Sequence, residues 1–553
     1  MTDTIIGISN KPVPPAQSPA EPLPEPADCS RETDEGFTEY LARHPLALIY
    51  SILTGCRANG CVPDSIDIET QTVPSDSIID VPTDDADKDG YMIDDGDCDD
   101  NDAEVNPGMD EICDDLKDNN CDSSDNGTCR LTGSVSLADA DAKLVGEDEY
   151  DWAGQAVSCA GDVNADGRED LFVGAYLADS SYIVYGPVSG THDLSKADVK
   201  IIGEYPDSFG YALAEGKDVD GDGNVDLLAG AYFMRTYLFK GPLNKGEVLA
   251  SSADAIFSGE AFDSGNSVSL LDDTNNDGLA DLLIGIPEIC FGNNCDQDGA
   301  GTAALFLGDV NGQLDVDDAD ALFAGEVIGD RAGRAVGGGD LNGDGNSDML
   351  VGAPYRPAVY VINGPVAGNL GMAEADTIVQ SEGANFGTAL DGNGDVNDDG
   401  YDDMLVAYTG QFHGGNGAAL LYLGPLSTGE VSWSTANVVL IADYFGYDSG
   451  LAVSLSGNSD GDAYDDILIG NASSETLAGG AAYLFYGPVS GTKELSEADL
   501  TLAGERADDG AGRSTAFCDA DGNGYDDLLI GAATEDTGGY LAGAAYLVLG
   551  HGF

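Results

Sequence analysis

The chain has 553 residues, enough to bury a large core. It carries 101 Asp and Glu residues against 21 Lys and Arg residues, and this excess argues against a nucleic-acid partner because phosphate binding needs clustered basic side chains. Hydrophobic residues make up 42% of the chain and recur in short regular runs. The acidic residues that give the formal charge of −80 therefore belong to a folded protein, and bound divalent metal is the leading explanation of how the fold tolerates them.

The first 83 residues divide into three predicted segments. Residues 1–40 are acidic and Pro-rich, and we expect them to be disordered or absent from the mature protein. Residues 41–56 are apolar and end in Leu53-Thr54-Gly55-Cys56, a pattern typical of a bacterial lipoprotein signal, although a short buried helix is the alternative. On the first interpretation Cys56 is lipidated, and the protein is secreted or anchored at the cell surface. Residues 57–83 form a linker.

Residues 84–130 combine clustered cysteines with acidic side chains. Such clustering favours disulfides and an oxidising compartment, since no zinc-type C-x-x-C pair occurs. The segment resembles the Asp-rich, Cys-containing metal-binding repeat of bacterial surface proteins, whereas the alternative is a solvated acidic linker. The resemblance implies metal and disulfides in place of an apolar core. The metal ligands predicted here are Asp85, Asp87, Asp89 and Asp97.

Residues 131–553 contain seven copies of the pattern D-x-[DN]-x-[DN]-G-x-x-D, each followed by an apolar run. Around each copy the sequence predicts four short strands. Each repeat unit therefore spans roughly 55 to 67 residues, which is the size of a propeller blade. Leu137–Val145 has the sequence of a last strand, and the final unit stops after its third strand. We therefore expect the N-terminal strand to complete the seventh blade and close the ring. An open solenoid or two smaller domains are the alternatives.

Two disulfides are predicted within this region. Cys290 and Cys295 are close enough in sequence for a local bond. Cys159 and Cys518 flank the loops of the first and seventh units, which ring closure makes neighbours.

The unit also identifies a family. Phe386-Gly387 and Gly352-Ala353-Pro354 are the paired signatures of FG-GAP repeats, and residues 131–553 resemble these repeats as found in the integrin α-chain head and in bacterial surface proteins. The resemblance implies an all-β, seven-bladed propeller with four-stranded antiparallel blades, acting as a binding or adhesion module. Blade five departs from the pattern, with Val406-Ala-Tyr408 in place of Gly-Ala-Pro.

The nine-residue copies, which we call the acidic loops, have the spacing of calcium ligands. Oxygens at positions 1, 3 and 5 converge, Gly at position 6 permits the turn, position 7 supplies a carbonyl and position 9 a carboxylate. Metal-free Asx-turns are the alternative, and Mg²⁺ suits such a site less well. We expect about one Ca²⁺ per blade, least securely in the sixth, where Asn458 stands first and Ala463 replaces Gly. The predicted ligands are Asp162, Asn164, Asp166, Arg168, Asp170, Asp218, Asp220, Asp222, Asn224, Asp226, Asp273, Asn275, Asp277, Leu279, Asp281, Asp340, Asn342, Asp344, Asn346, Asp348, Asp395, Asn397, Asp399, Tyr401, Asp403, Asn458, Asp460, Asp462, Tyr464, Asp466, Asp519, Asp521, Asn523, Tyr525 and Asp527.

Catalytic signatures are missing from the sequence. The one G-x-S-x-G match, Gly457–Gly461, lies inside the sixth acidic loop, where no nucleophile elbow can form. The hypothesis is therefore a non-enzymatic module for an extracellular protein or glycan. The alternative is an extracellular carbohydrate-active lyase or hydrolase that uses a carboxylate pair.

A recurring acid precedes the first strand of each unit and marks a candidate ligand rim. These acids either bond the surrounding loops or recruit a basic protein or a cation-bridged glycan. They are Glu147, Glu204, Glu260, Glu326, Glu382, Asp443 and Glu505.

Overall fold

The computed structural model describes residues 130–550, except 233–234, 259–264, 288–298, 367, 413–415, 443–450 and 475–476, together with isolated positions between 87 and 121. The predicted lipidation site Cys56, the pair Cys290 and Cys295, and the predicted sites Asp85, Asp89, Glu260 and Asp443 lie outside the described residues. Within them, regular structure consists of β-strands and three-residue 3₁₀ turns. No helix in this part of the chain is long and apolar enough to cross a bilayer.

The strands form seven sheets, which are the seven predicted blades. Within each blade, the first four strands are antiparallel neighbours that run from the channel side outwards. In sheet order, blade one consists of β3 (Ala153–Gly161), β4 (Asp170–Ala175), β5 (Ser180–Val184), β7 (Val199–Ile202) and β11 (Gly246–Leu249). Blade two consists of β8 (Phe209–Leu213), β9 (Leu227–Ala231), β10 (Arg235–Phe239), β12 (Ala255–Ser258) and β16 (Gly312–Leu314). Blade three consists of β13 (Ser267–Leu271), β14 (Asp281–Ile286), β15 (Thr302–Phe306), β17 (Ala321–Ala324) and β21 (Leu370–Gly371).

Blades four to seven repeat this order. Blade four consists of β18 (Ala335–Gly339), β19 (Asp348–Ala353), β20 (Ala358–Ile362), β22 (Thr377–Gln380) and β26 (Gly429–Ser432), and blade five of β23 (Phe386–Gly394), β24 (Asp403–Phe412), β25 (Asn416–Tyr422), β27 (Val438–Ile441) and β31 (Gly491–Glu494). Blade six consists of β28 (Leu451–Gly457), β29 (Asp466–Asn471), β30 (Ala481–Phe485), β32 (Leu500–Ala503) and β1 (Gly133–Ser136). Blade seven consists of β33 (Ala511–Cys518), β34 (Asp527–Ala532), β35 (Ala544–Val548), β2 (Ala142–Val145) and β6 (Gly190–Asp193). The 3₁₀ turns are Leu137–Asp139, Tyr176–Ala178, Leu194–Lys196, Ala250–Ser252, Val316–Asp318, Met372–Glu374, Trp433–Thr435 and Leu495–Glu497.

Each blade has a fifth strand that the sequence did not predict. This strand pairs in parallel with the fourth strand and comes from the neighbouring blade, as β11 does when it pairs with β7. The donated strands are four residues or fewer, and they precede the fourth strand of their own blade. They were missed because such short polar segments as Gly190–Asp193, exposed along their length, carry no alternating apolar pattern.

The N-terminal segment closes the ring as the sequence predicted. β2 pairs antiparallel with β35, so residues near the start complete the seventh blade. β1 reaches one blade further and pairs in parallel with β32 of blade six. A disulfide between Cys159 on β3 and Cys518 on β33 joins blades one and seven. The closure therefore has two strand pairings and one covalent bond.

The Gly residues of the repeat explain its two signatures. A Cβ on Gly174 in the second strand of blade one would lie 2.1 Å from the carbonyl oxygen of Gly210, the glycine of Phe209-Gly210 in blade two. The same contact recurs between Gly531 of blade seven and Gly154 of blade one, again at 2.1 Å. Since real side chains never approach backbone this closely, glycine at both positions lets neighbouring blades pack together. The described core consists of seven apolar clusters, several of which combine side chains of adjacent blades.

Candidate metal and ligand sites

The acidic loops join the first and second strands of every blade, so they lie on one face of the ring. In six loops the carboxylate at position 1 accepts a hydrogen bond from the N–H group at position 6, for example Gly223 to Asp218 at 2.8 Å. Each of these six glycines has a positive φ, as the sequence required. The donor–acceptor pairs are Gly167 and Asp162, Gly223 and Asp218, Gly278 and Asp273, Gly345 and Asp340, Gly400 and Asp395, and Gly524 and Asp519.

The second loop brings three carboxylates together. Asp218, Asp220 and Asp222 each offer a carboxylate oxygen, and these oxygens lie within 4.8 Å of one another. Three hard anionic oxygens at this separation match the donor chemistry of Ca²⁺. The residues therefore fit a divalent cation at positions 1, 3 and 5.

The position-9 aspartates are fully buried and link each loop to the end of the third strand. Asp170 accepts hydrogen bonds from the N–H groups of Val163 and Gly186, at 3.1 and 3.0 Å. Burial raises the pKa of this carboxyl to about 7, and the equivalent Asp527 has its pKa raised to about 8 for the same reason. The Asn164 side-chain amide also donates to both oxygens of Asp170, at 3.1 and 3.2 Å. Without a cation, burial therefore works against ionisation of these two carboxyl groups.

The sixth acidic loop has a different arrangement. Arg130 lies against it, with Nε in contact with Asp460 and a terminal nitrogen 2.6 Å from Asp462. These acids occupy positions 3 and 5, where the other loops offer oxygens to a metal. At position 1, the Asn458 amide donates a hydrogen bond to the Asp462 carbonyl at 2.7 Å. A guanidinium group therefore supplies positive charge to the loop whose sequence departs furthest from the pattern.

Arg130 is fixed from its other side as well. Its guanidinium lies 5.0 Å from the ring centroid of Tyr486. The Tyr486 hydroxyl donates a hydrogen bond to the Leu131 carbonyl at 2.8 Å. The sequence could not indicate this contact, because Arg130 and Asp462 are 332 positions apart in the chain.

The segment before the propeller also has a candidate metal ligand. A disulfide joins Cys98 to Cys121, and the side chain of Asp97 next to it is only 3% exposed. One Asp97 oxygen accepts the N–H group of Asp99 at 2.9 Å, while the other is buried without a hydrogen-bond partner. A buried carboxylate oxygen in this state fits a bound cation. Asp87, the other predicted ligand among the described residues, also has a buried carboxylate oxygen.

The five rim acids among the described residues lie on the opposite face, and four of them are held by side chains of the blade that they lead into. Glu326 forms a bidentate pair with Arg356, at 3.1 and 2.9 Å, and accepts the Tyr360 hydroxyl at 2.9 Å. In blade seven, Glu505 likewise contacts Lys143 and the hydroxyl of Tyr546. Glu147 contacts Lys200 and Tyr182, and Glu204 contacts Arg235. These contacts support the structural interpretation of the rim, because the acids already have basic partners; Glu382 is exposed.

The same face carries most of the exposed large hydrophobic side chains of the described residues. Of the nine large hydrophobic side chains exposed among the described residues, only Leu249 lies on a donated strand. The other eight lie in loops that lead into the first strand or join the second and third strands, and we call the surface they form the aromatic face. Its members are Tyr150, Leu177, Tyr205, Tyr232, Val327, Ile328, Tyr355 and Tyr540.

A chain of ring contacts orders part of this face. Trp152 meets Tyr176 edge to face at 5.9 Å, and Tyr176 meets Tyr211 in the same way at 5.5 Å. Tyr211 then lies 4.7 Å from Tyr232. The rings come from blades one and two, and they form an ordered aromatic wall beside the mouth of the central channel.

Fold and loops together define a β-propeller with repeated acidic turns on one face and an aromatic opposite face. Two segments, 332–369 and 511–548, match the FG-GAP repeat family. The chain is 34% identical over 241 residues to integrin α pat-2 of Caenorhabditis elegans, covering 39% of this chain and 19% of that protein. It is 28% identical over 304 residues to integrin α-V of Gallus gallus, covering 52% and 27%. The chain is thus a β-propeller with FG-GAP repeat matches in two segments and a likeness to integrin α chains, and it spans only about a quarter or less of these relatives' length.

Proposed function

We propose that the protein is a cell-surface or secreted adhesion module whose aromatic face binds an extracellular protein ligand. The concentration of eight of the nine exposed large hydrophobic side chains on that face carries the proposal. A concentration of exposed apolar groups on one face of a strongly acidic protein favours a partner surface there. The likeness to proteins named integrin α chains supports a binding role over a lyase or hydrolase. A glycan ligand and the lipid anchor at Cys56 stay predictions.

Substitution on the aromatic face tests this role. We expect a screen of the purified protein against arrays of extracellular proteins and glycans, with calcium present, to give protein ligands. Their binding should weaken by about tenfold or more in Tyr205→Ala combined with Ile328→Ala, since exposed anchors of this kind dominate interface energetics. Leu249→Ala is the matched control and should bind as the parent does. Equal binding by all three proteins would contradict the proposed surface.

We infer further that calcium occupies the acidic loops of six blades and that Arg130 takes the place of the ion in blade six. The six regular loops share the position-1 to position-6 hydrogen bond, which shapes them for a metal. In blade six, the Arg130 guanidinium contacts the two acids that would otherwise face the ion. The Asp/Cys-rich segment is proposed to hold additional calcium through Asp97.

The Arg130→Gln substitution tests the exchange of guanidinium for metal. It leaves Asp460 and Asp462 without their counter-charge, so we expect a lower Tm in chelator. Millimolar calcium should recover part of that loss in the variant, because an ion can enter the vacated loop. Lys245→Gln is the control, since it removes an exposed lysine that pairs with Asp198. Thermal unfolding in chelator and in calcium measures both effects; an unchanged Tm for Arg130→Gln would refute the exchange.

A further inference from the structure

Neighbouring acidic loops are joined by a backbone hydrogen bond that recurs around the ring. At six junctions between blades, the N–H group at position 8 of one loop donates to the carbonyl at position 1 of the loop in the preceding blade, at 3.0 to 3.2 Å. Blade seven precedes blade one in the closed ring. The donor–acceptor pairs are Glu169 and Asp519, Ala280 and Asp218, Ser347 and Asp273, Asp402 and Asp340, Asp465 and Asp395, and Asp526 and Asn458.

At four of these junctions a carboxylate adds a second hydrogen bond in the opposite direction. The side chain at position 8 accepts the N–H group of the same position-1 residue, so the two residues exchange two hydrogen bonds. We call these four side chains the position-8 acids. They are Glu169, Asp402, Asp465 and Asp526, and their distances to the position-1 nitrogens are 2.9, 2.6, 2.7 and 2.8 Å. All four are partly buried.

A second kind of contact between loops has the same direction. Tyr401, at position 7 of the fifth loop, lies across Gly343 at position 4 of the fourth loop, where a Cβ would be 2.5 Å from its ring. Tyr525 of the seventh loop lies across Gly461 of the sixth in the same way, at 2.1 Å. These loops therefore pack both their position 7 and their position 8 against the loop of the preceding blade.

These bonds fix the residue that stands first in the predicted set of calcium ligands. In the fourth loop, the Asp340 carboxylate accepts the N–H groups of Asp344 and Gly345 of its own loop, at 3.0 and 2.8 Å. Asp402 of blade five holds the backbone N–H and carbonyl groups of the same Asp340. A ligand that is already ordered loses less conformational entropy when it binds an ion. The next blade therefore contributes to the preparation of this site.

We propose that the position-8 acids are positioning residues for calcium in the preceding blade. Asp402 acts on the fourth loop, Asp465 on the fifth and Glu169 on the seventh. Asp526 acts in the same way on the sixth loop, where Arg130 takes the place of the ion. This inference rests on the proposed calcium occupancy of the regular loops, and it adds to each of these sites a residue of the next blade.

Calcium occupancy measured loop by loop tests the assignment. Crystals of the full-length parent and of Asp402→Ala are equilibrated at a series of buffered calcium concentrations, and the anomalous peak of each loop is followed. We expect half-occupancy of the fourth loop to need at least about fivefold more calcium in Asp402→Ala, because a charge-assisted hydrogen bond to its first ligand is lost. The fifth loop, which contains the substitution, should change less. A merely structural role would weaken the substituted loop first.

Two further variants separate the hydrogen bond from charge and from position. Asp402→Asn retains an oxygen that can accept the Asp340 N–H group, so it should keep most of the fourth-loop affinity. Ser347→Ala is the matched control at position 8 of the fourth loop, because the Ser347 hydroxyl is buried without a hydrogen-bond partner. It should leave occupancy of the third loop as in the parent.

Asp465→Ala repeats the test at another junction, so the result does not depend on the folding of one variant. Asp465 lies in the loop where Arg130 replaces the ion, and we expect its loss to weaken calcium binding by the fifth loop. Unchanged occupancy of the preceding loop in both alanine variants, or equal weakening of every loop, would overturn the positioning role and leave calcium binding intact. Parent crystals without peaks in the regular loops would overturn calcium occupancy and this inference together.

Discussion

Removal of calcium with EDTA is expected to lower the Tm by about 10 °C or more, because each ligand-linked site adds stability by mass action, about 2.7 kcal/mol at a hundredfold excess over its Kd. The physical reason is the density of negative charge in the acidic loops. The carboxylate oxygens of Asp218, Asp220 and Asp222 lie within 4.8 Å of one another. Without an ion, these negative charges therefore repel one another in the folded loop. Calorimetry before and after chelation measures the effect.

The effect of pH should reverse with metal content. Burial raises the pKa of Asp170, Asp348 and Asp403 to about 7, from the ordinary value of 3.8 for an aspartate. In chelator the folded state therefore binds protons more tightly than the unfolded state, and stability should fall as pH rises from about 4 to about 7. With calcium bound, the ionised form is required, and stability should rise over the same interval.

Calcium should restore the lost stability, whereas Mg²⁺ should do so poorly because it retains water and requires octahedral geometry. Equal recovery with both ions would show that simple charge screening suffices. An unchanged Tm after thorough chelation would contradict calcium binding by the acidic loops.

Deletion of residues 137–145 is expected to cause association of the protein and a lower Tm. This segment includes β2, whose Leu144 is fully buried and pairs with Ala545 of β35. Its loss would leave β35 as an open edge, and unpaired edges promote association. Size-exclusion chromatography and thermal unfolding provide the measurement.

A milder variant and two controls make the result specific to ring closure. Leu144→Ala should destabilise by about 2 to 5 kcal/mol, as a cavity in a tightly packed core does. Leu249→Ala, at a side chain that is 58% exposed, should have little effect. Removal of residues 1–83 should leave the propeller intact, since these contribute no predicted repeat strand. A monomer of unchanged stability after deletion of residues 137–145 would disprove the closure.

Most of the fold could be predicted because the same sequence pattern recurs in all seven blades. The Gly positions, the acidic loops and the split seventh blade follow from local spacing, and closure follows from the phase of the repeat. The fifth strands could not be predicted in this way, because their pairing is supplied by the next blade and their side chains, as in Gly190–Asp193, stay exposed.

The candidate sites were less predictable for a related reason. Spacing indicates which oxygens converge within one loop, so the arrangement around Asp218 was foreseeable. It cannot indicate partners distant in sequence, such as Arg130 with Asp462 or Arg356 with Glu326. These contacts change the interpretation of two predicted features, the sixth loop and the acidic rim.

The most direct test of the metal assignment is an anomalous-difference map from crystals of the full-length protein grown with calcium. We expect peaks in the acidic loops of blades one to five and seven, together with Arg130 between Asp460 and Asp462 in blade six. Regular loops without peaks would contradict the metal assignment, and a peak in place of the Arg130 guanidinium would contradict the exchange in blade six.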